Sequence, residues 1–491
     1  MTITSSHDTA AATLPEAALY IAGEPITKSS LGTMARIDPT TGQVLAEFPV
    51  AGEEEVEQAV RAARLAFPAW KRLTADKRRE ILHRIARLLE AANDEIRTII
   101  ALESGAPISR ASTRAAVDNF DYYAGWADKF AGELVHSYPG RSLDYVKYEP
   151  YGVVGALIPW NAPLITAAKK LAPAFAAGNC VILKSPEFGP FATMRLAQIC
   201  QEAGLPDGVL SVLPGGPVAG EAIIRHPDVH KVSFTGGPEV AKRVMTVAAE
   251  SVTPVLLELG GKSANIVFAD ADLERAAHMG AFMATVASAG QGCLYPTRLL
   301  VQDSVYDDVI DRVRAVAESP TIGDPLDPAN DMGPVISESA CTRIMGYIED
   351  AQTTGTGRLL TGGTRLGGEL AGGYFVQPTV FVDVDNSSPI AQEEVFGPVL
   401  SVIRFHDEAE AVALANDTRF GLAAYVHTKD LKRAHTVADD LEAGWVGVNA
   451  FPPMTASAPF GGTKISGFGK EGGRAGIEEF VQHKNVYIPL D

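Results

Sequence analysis

Cys293, in the stretch SAGQGCLYPTR, is a lone thiol placed between glycines and a Tyr-Pro. Glu258 ends the apolar run VLL and is followed at once by two glycines, in ELGGKS. Asn161 lies between two prolines in IPWNAPL, and Lys184 and Glu187 share the stretch KSPE. These residue types could do chemistry. A thiolate is a nucleophile, a carboxylate with room beside it is a general base, and an amide can donate to an oxyanion. A lysine and a glutamate at a strand end could hold a ribose hydroxyl. Each also has a plainer reading. A free cysteine is most often a small buried hydrophobe, and an asparagine before a helix is often its cap. Glu258 could be a partnered structural carboxylate, and Lys184 and Glu187 two solvated loop charges. The glycines flanking Cys293 are expected to give a substrate close access to the sulfur.

These side chains need elements to carry them. Residues 53–67 and 74–102 have helical periodicity, with Ile81, Ile85, Leu88, Leu89 and Ala92 on one face. From about 143 the pattern changes to short β-branched runs at 153–158, 179–184, 208–213, 231–234 and 255–259. Helical segments near 163–177, 190–204, 217–225 and 238–250 separate them. Strands joined by such segments require crossovers, hence a parallel, doubly wound α/β sheet. Ligands of such sheets bind beyond the carboxyl ends of the strands. Those ends carry PWNAP, KSPE, PGGP, FTGG and ELGGK. In VSFTGGPEV a strand runs into Thr235, Gly236 and Gly237 and a helix begins at Pro238, a place where backbone N–H groups attract phosphate. It is not G-x-G-x-x-G, because Ala241 stands where a third glycine would. A second α/β unit follows Cys293, with strands in 298–302, 398–405, 424–428 and 444–451. Loops there carry Glu394 and Phe396 (EEVFGP) and the glycine-dense stretch 459–473. The first 17 residues read as a loose tail.

Composition narrows the classes. The chain has 491 residues, enough for several domains, and a formal charge of −18 that argues against a nucleic-acid surface or an anionic membrane as partner. The four cysteines are scattered, with no C-x-x-C, so neither a disulfide scaffold nor a common metal site is expected. That usage suits a reducing cytoplasm. No signal peptide and no apolar run long enough to cross a membrane is read.

Taken in order, IPWNAPL, KSPE, FTGG, LELGGKS, GQGC, EVFGP and PFGGTKISG resemble the motifs of the aldehyde dehydrogenase superfamily, over about residues 18–491. The resemblance implies an NAD(P)-dependent oxidation of an aldehyde to its acid through a Cys thiohemiacetal and thioester. It assigns the nucleophile to Cys293, the general base to Glu258, the oxyanion amide to Asn161, and a further catalytic part to Lys170. Glu258 implies hydrolysis, since members that pass the acyl group to coenzyme A lack that glutamate. For the cofactor it implies Lys184 and Glu187 at the adenosine ribose and Phe234, Thr235, Gly236 and Gly237 near the pyrophosphate. Glu394 and Phe396 fall at the nicotinamide end. Ile158, Pro159, Trp160, Gly216, Leu259 and Gly260 border the cleft. NAD is expected, because the Glu187 carboxylate would repel a 2′-phosphate; NADP is the alternative. FTGG in place of the frequent FTGS, and Ala241, depart from the pattern at the phosphate contacts.

A tunnel bounded by Ala162, Ile165, Thr166, Leu294, Tyr295, Met454 and Phe460 is expected to admit a bulky or apolar aldehyde, because small Ala162 stands where relatives often carry an aromatic. The implied architecture is two doubly wound α/β domains plus a small β oligomerisation hairpin. The cofactor domain would take 18–127 and 150–261, the catalytic domain 262–465, and the oligomerisation unit 128–149 and 470–491. A homodimer or homotetramer follows from strands that need a partner. Two rivals stand beside this: a thiol acyltransferase or hydrolase using Cys293 with a histidine, and a non-catalytic protein that keeps the fold. No local feature near Cys293 supplies a cation for a thiolate.

Overall fold

In the computed structural model, which describes residues 3–136, 138, 140–451 and 454–490, the β-branched runs form strands buried on both faces. Val153–Leu157 and Leu210–Pro214 are buried at every position. Such strands must be covered by helices on either side. Among the described residues the larger sheet has eight strands. They run in the order Glu24–Ile26, Leu19–Ile21, Leu210–Pro214, Cys180–Ser185, Val153–Leu157, Val229–Thr235, Val255–Glu258, Gly467–Phe468. Its centre is parallel, with Leu157 opposite Lys184 and Thr235 opposite Glu258, so these chain ends emerge on one edge. The helices Pro163–Ala177, Pro217–Arg225 and Pro238–Glu250 each begin with proline directly after a strand-end loop. Proline is preset for the first helical position and lacks the N–H that would go unpaired there.

A second sheet has seven strands, in the order Arg358–Thr361, Thr379–Val382, Val399–Phe405, Arg298–Gln302, Ala264–Val267, Ala423–His427, Trp445–Val448. The chain passes from the first sheet to the second through Leu259–Ser263, between strands Val255–Glu258 and Ala264–Val267. That link is held at each step. Leu259 N donates to Ser466 O at 3.0 Å, and Ser466 Oγ to Gly260 O at 2.7 Å. The fully buried Arg298 donates through Nε to Lys262 O at 3.0 Å and through its other nitrogens to Asn386 Oδ1, Leu414 O and Ala415 O. A buried guanidinium is tolerable only when satisfied in this way. A third sheet pairs Val481–Pro489 with Ser142–Pro150 and Glu133–Val135. No helix among the described residues is long and apolar enough to cross a membrane, and no group of three metal-ligating side chains gathers there.

Three expectations are corrected. The helix read at 74–102 is two, Ala75–Ala91 and Asn93–Ser104, because Ala92 leaves helical geometry (φ −87°, ψ 10°). The helix read at 53–67 continues to Arg72, with Pro68 inside it. The loose tail read over the first 17 residues is corrected for the described ones, residues 3–17: Ile3–Ala10 is a helix. Its His7 is buried, with Nδ1 2.6 Å from Asp38 and Nε2 2.8 Å from Asp324. Burial opposes charging this imidazole. Hydrogen bonds and attraction from Asp324 and Asp38 outweigh that and raise its pKa to about 9.

The folded pKa of His7 therefore lies above the unfolded value of 6.5. Its stabilisation is fully present below pH 6.5 and is lost as pH rises through about 9. His7→Ala should cost about 1–3 kcal/mol near pH 6. In chemical denaturation followed across pH, the gap from the native chain should close above the raised pKa; a gap independent of pH would contradict the charged latch.

Candidate active site

The strand ends and the crossing link surround a cleft of about 560 Å³. Its walls include Cys293, Glu258 and Asn161 together with Ile158, Pro159, Trp160, Lys184, Glu187, Gly216, Phe234, Thr235, Gly236, Gly237, Leu259, Gly260, Glu394 and Phe396. Residues far apart in sequence thus share one crevice. Two glycines make this possible. A Cβ on Gly260 would collide with the Glu394 carboxylate, and one on Gly261 would stand 2.5 Å from Cys293 O. The link of LELGGKS therefore packs against both loops. Gly261 N also donates to Glu394 Oε1 at 3.1 Å.

The glycines beside Cys293 serve a different purpose from the one read in the sequence. A Cβ on Gly292 would lie 2.6 Å from the Tyr295 ring, and one on Gly290 would collide with Gly397 O. They clear the protein's own neighbours. The approach to Cys293 is also not a plain helix end. A π-helical turn at Phe282–Val286 gives way to Ser288 and Ala289 with φ of 45° and 51°. Gln291 secures this turn, because Oε1 accepts from Ile336 N at 2.9 Å and Nε2 donates to Ser288 O at 3.1 Å.

Asn161 does not cap the helix Pro163–Ala177, whose N-cap is Ala162. Its Nδ2 donates to Gln291 O at 3.1 Å, leaving one amide hydrogen for another acceptor. Glu258 is 3% exposed, and neither carboxylate oxygen has a hydrogen-bond partner. Burial pushes its pKa well above the ordinary value, repulsion from Glu471 adds to this, and Lys169, Lys170 and Lys470 oppose it. Cys293 is half-buried, and burial, with Glu394 second, pushes its thiol up to about 12. Lys169 is the cation that works against this rise; no local sequence pattern announced it. Burial likewise lifts Glu394 to about 7.

Lys170 lies off the cleft. It is buried, with Nζ 2.8 Å from Ser233 Oγ and 2.7 Å from Glu471 Oε1. Lys184 and Glu187 lie within the cleft wall and pair with each other at 3.1 Å. Phe396, with a positive φ of 49°, sets its ring edge-on to Trp160 at 5.4 Å. Leu294, Tyr295, Met454 and Phe460 gather around Cys293 in one apolar cluster with Trp445, Phe451 and Tyr425. Tyr425 OH fixes the backbone there by donating to Leu294 O at 2.8 Å. Ala162 and Ile165 are half-buried at the start of the helix, and Thr166 spends its hydroxyl on Ala162 O at 2.9 Å. Phe188, Arg343, Glu221 and Arg243 also line the cleft; they carry no motif that marks them.

Cys180, Cys200 and Cys341 are buried, so iodoacetamide should label Cys293 alone, read by peptide mass spectrometry. With a thiol pKa near 12, labelling is slow at neutral pH and climbs about tenfold per pH unit. Lys169→Met should slow it further at each pH, while labelling spread over several cysteines would contradict this site.

Comparison with known proteins returns one answer. The model of the "Aldehyde dehydrogenase family" matches residues 26–486. An aldehyde dehydrogenase of Enchytraeus buchholzi is 41% identical over 478 residues, covering 96% of this chain and 95% of that one. A mitochondrial aldehyde dehydrogenase of Mesocricetus auratus is 40% identical over 466 residues, covering 93% and 92%. The NAD+ complex of an aldehyde dehydrogenase from Bacillus cereus superposes with a TM-score of 0.94 at 38% identity, covering 98% of each chain.

Proposed function

Because the chain belongs to the aldehyde dehydrogenase family, we propose that it oxidises a bulky or apolar aldehyde to the free carboxylic acid, with Cys293 as nucleophile and Glu258 as base. It is an NAD(P)-dependent aldehyde dehydrogenase, and NAD is its cofactor. The observation that carries the finer reading is the meeting of Cys293, Glu258 and Asn161 in one cleft whose other walls suit a dinucleotide.

The cleft fits that cofactor on its own terms. Thr235 Oγ1 is buried there without a partner. The helix Pro238–Glu250 starts beside it with no side-chain cap, and a Cβ on Gly237 would meet only open space. Free N–H groups at such a start favour a phosphate. Lys184 and Glu187 would hold the adenosine ribose, Glu394 the second ribose, and Trp160 and Phe396 would border the nicotinamide. The Glu187 carboxylate favours NAD over NADP through repulsion of a 2′-phosphate.

Cys293 Sγ loses its proton to solvent and adds to the aldehyde carbon. The carbonyl oxygen becomes an oxyanion, met by the remaining Asn161 amide hydrogen and the Cys293 backbone N–H. When bound, the nicotinamide supplies the hydride acceptor that turns this adduct into a thioester. Glu258 then takes a proton from water as its oxygen attacks the thioester carbon; the C–S bond breaks and the acid leaves. Lys170 acts as a positioning residue: paired with Glu471, it helps keep Glu258 ionisable. The presence of Glu258 supports hydrolysis over acyl transfer to coenzyme A.

The apolar cluster at Cys293 and the small Ala162 support a bulky aldehyde. The three-stranded sheet leaves Leu134, Leu143, Tyr487 and Ile488 exposed, which supports a homodimer or homotetramer. The division into 18–127 with 150–261, 262–465, and 128–149 with 470–491 belongs to the same proposal. Four free cysteines support the cytoplasm as location.

Steady-state and pre-steady-state kinetics test the reaction. Cys293→Ser should lose activity about 10³-fold or more. Glu258→Gln should lower kcat by roughly 10²–10⁴-fold and leave a stoichiometric burst of reduced cofactor, because the thioester forms and then waits. In the native enzyme kcat should fall on acidification from a pH above the ordinary carboxylate range, as Glu258 protonates. Higher kcat/KM for acetaldehyde than for bulky aldehydes would defeat the substrate reading. Sedimentation should report a dimer or tetramer that Ile488→Glu with Leu143→Glu dissociates.

A further inference from the structure

Two polar groups beside the apolar cluster at Cys293 touch no reacting atom in the chemistry above. Lys169 sits on the helix Pro163–Ala177, which Ala162 precedes, its side chain 11% exposed. Among the described residues its one ion pair is with Glu471, 3.8 Å away, and that carboxylate is already held at 2.7 Å by Lys170. Two lysines thus share one carboxylate. Lys169 Nζ also meets the Phe460 ring, 4.4 Å from the centroid, and Met454 Sδ at 3.7 Å. Both residues belong to the apolar cluster that contains Cys293. The second group is Asn119, on the helix Arg114–Ala124 and 1% exposed. Its Nδ2 donates to Ala115 O at 2.8 Å, which fixes the amide orientation. Its Oδ1 is then left buried with no donor. Asn119 and Lys169 line one small niche, walled by Trp445, Met454 and Phe460.

An unpaired buried acceptor is costly, and a lightly paired cation among aromatic rings is unusual. A single ligand group would satisfy both. We propose that the aldehyde this enzyme takes carries an aromatic hydroxyl remote from its carbonyl, and that Lys169 and Asn119 recognise it. The hydroxyl oxygen accepts from Lys169 Nζ, and its hydrogen is donated to Asn119 Oδ1. The aromatic body suits the rings of the niche wall. A carboxylate would meet Lys169 but set its negative oxygens against Asn119 Oδ1. A methyl group in that place would leave both polar groups unpaired, and a site built for a hydroxyl rejects such an analogue strongly. This inference rests on aldehyde oxidation at Cys293 and specifies its substrate class.

The test compares kcat/KM for 4-hydroxybenzaldehyde, 4-methylbenzaldehyde and 4-carboxybenzaldehyde. The native enzyme should prefer the hydroxyl to the methyl compound by about tenfold or more, chiefly through KM. Intrinsic reactivity runs the other way, since a hydroxyl releases more electron density to the carbonyl than a methyl does. Lys169→Met and Asn119→Leu should each bring the ratio close to one; as a ratio, it cancels a general loss of activity. The native enzyme alone decides the matter if a variant fails to fold. A hydroxyl-to-methyl ratio near one, a ratio that neither variant moves, or preference for the carboxylate would overturn the proposal. Absence of turnover on every aldehyde would instead overturn the reaction itself, and this inference with it.

Discussion

Everything at this site depends on how closely the backbone can approach itself at Gly260 and Gly261. The link between the two sheets runs through Leu259–Ser263, pressed on one side by Glu394 and on the other by the carbonyl of Cys293. A side chain at either glycine would force those loops apart. Ser466 and the buried Arg298 hold the link from outside by hydrogen bonds to its backbone. The strand end bearing Glu258 and the loop bearing Cys293 are therefore fixed relative to one another by main-chain packing. Such a contact is stiffer than a salt bridge between side chains, because it has no rotamers to lose.

That rigidity concentrates ionisable groups whose charges are held in check. Burial raises Cys293, Glu258 and Glu394 together, and each carboxylate makes it harder for the thiol to ionise. Lys169, Lys170 and Lys470 counter this for Glu258, and Lys169 also for the thiol. Lys470 itself is tied to the carbonyls of Gly461 and Gly462 at 2.6 and 2.9 Å. The resting site thus favours a protonated, unreactive sulfur. Reactivity waits on a bound electrophile and on the transfer of a proton, which protects a nucleophile that would otherwise meet stray oxidants.

The strand-and-helix rhythm of 153–258 was legible in the residues, because buried parallel strands are continuous apolar runs and proline opens three of the four helices there. The loops at the strand ends were legible for the same reason. The joining of Glu258 to Cys293 was not. Nothing in local spacing reveals a tertiary contact, and only the ordered motifs pointed to it. His7 was misread as part of a tail since its partners, Asp38 and Asp324, lie far along the chain. Asn119 and the partners of Lys169 were silent for a related reason. A lysine on a helix reads as solvent-facing until the neighbouring carboxylate is seen to be taken, and an amide reads as satisfied until its oxygen is found alone. The glycines beside Cys293 were noticed but misassigned, because a sequence does not tell whether a missing side chain makes way for a ligand or for a neighbouring ring.

The shortness of the sheet-to-sheet link has a consequence for how such a scaffold can diversify. One inserted residue can lengthen an extended segment by about 3.3–3.6 Å, which is the whole separation at which reacting atoms must meet. Insertions and deletions between Leu259 and Ser263 are thus closed to any lineage that keeps this chemistry. The helix Pro163–Ala177 and the rim around Met454 bear no such restriction. Novelty in what the enzyme accepts has to enter there, one side chain at a time.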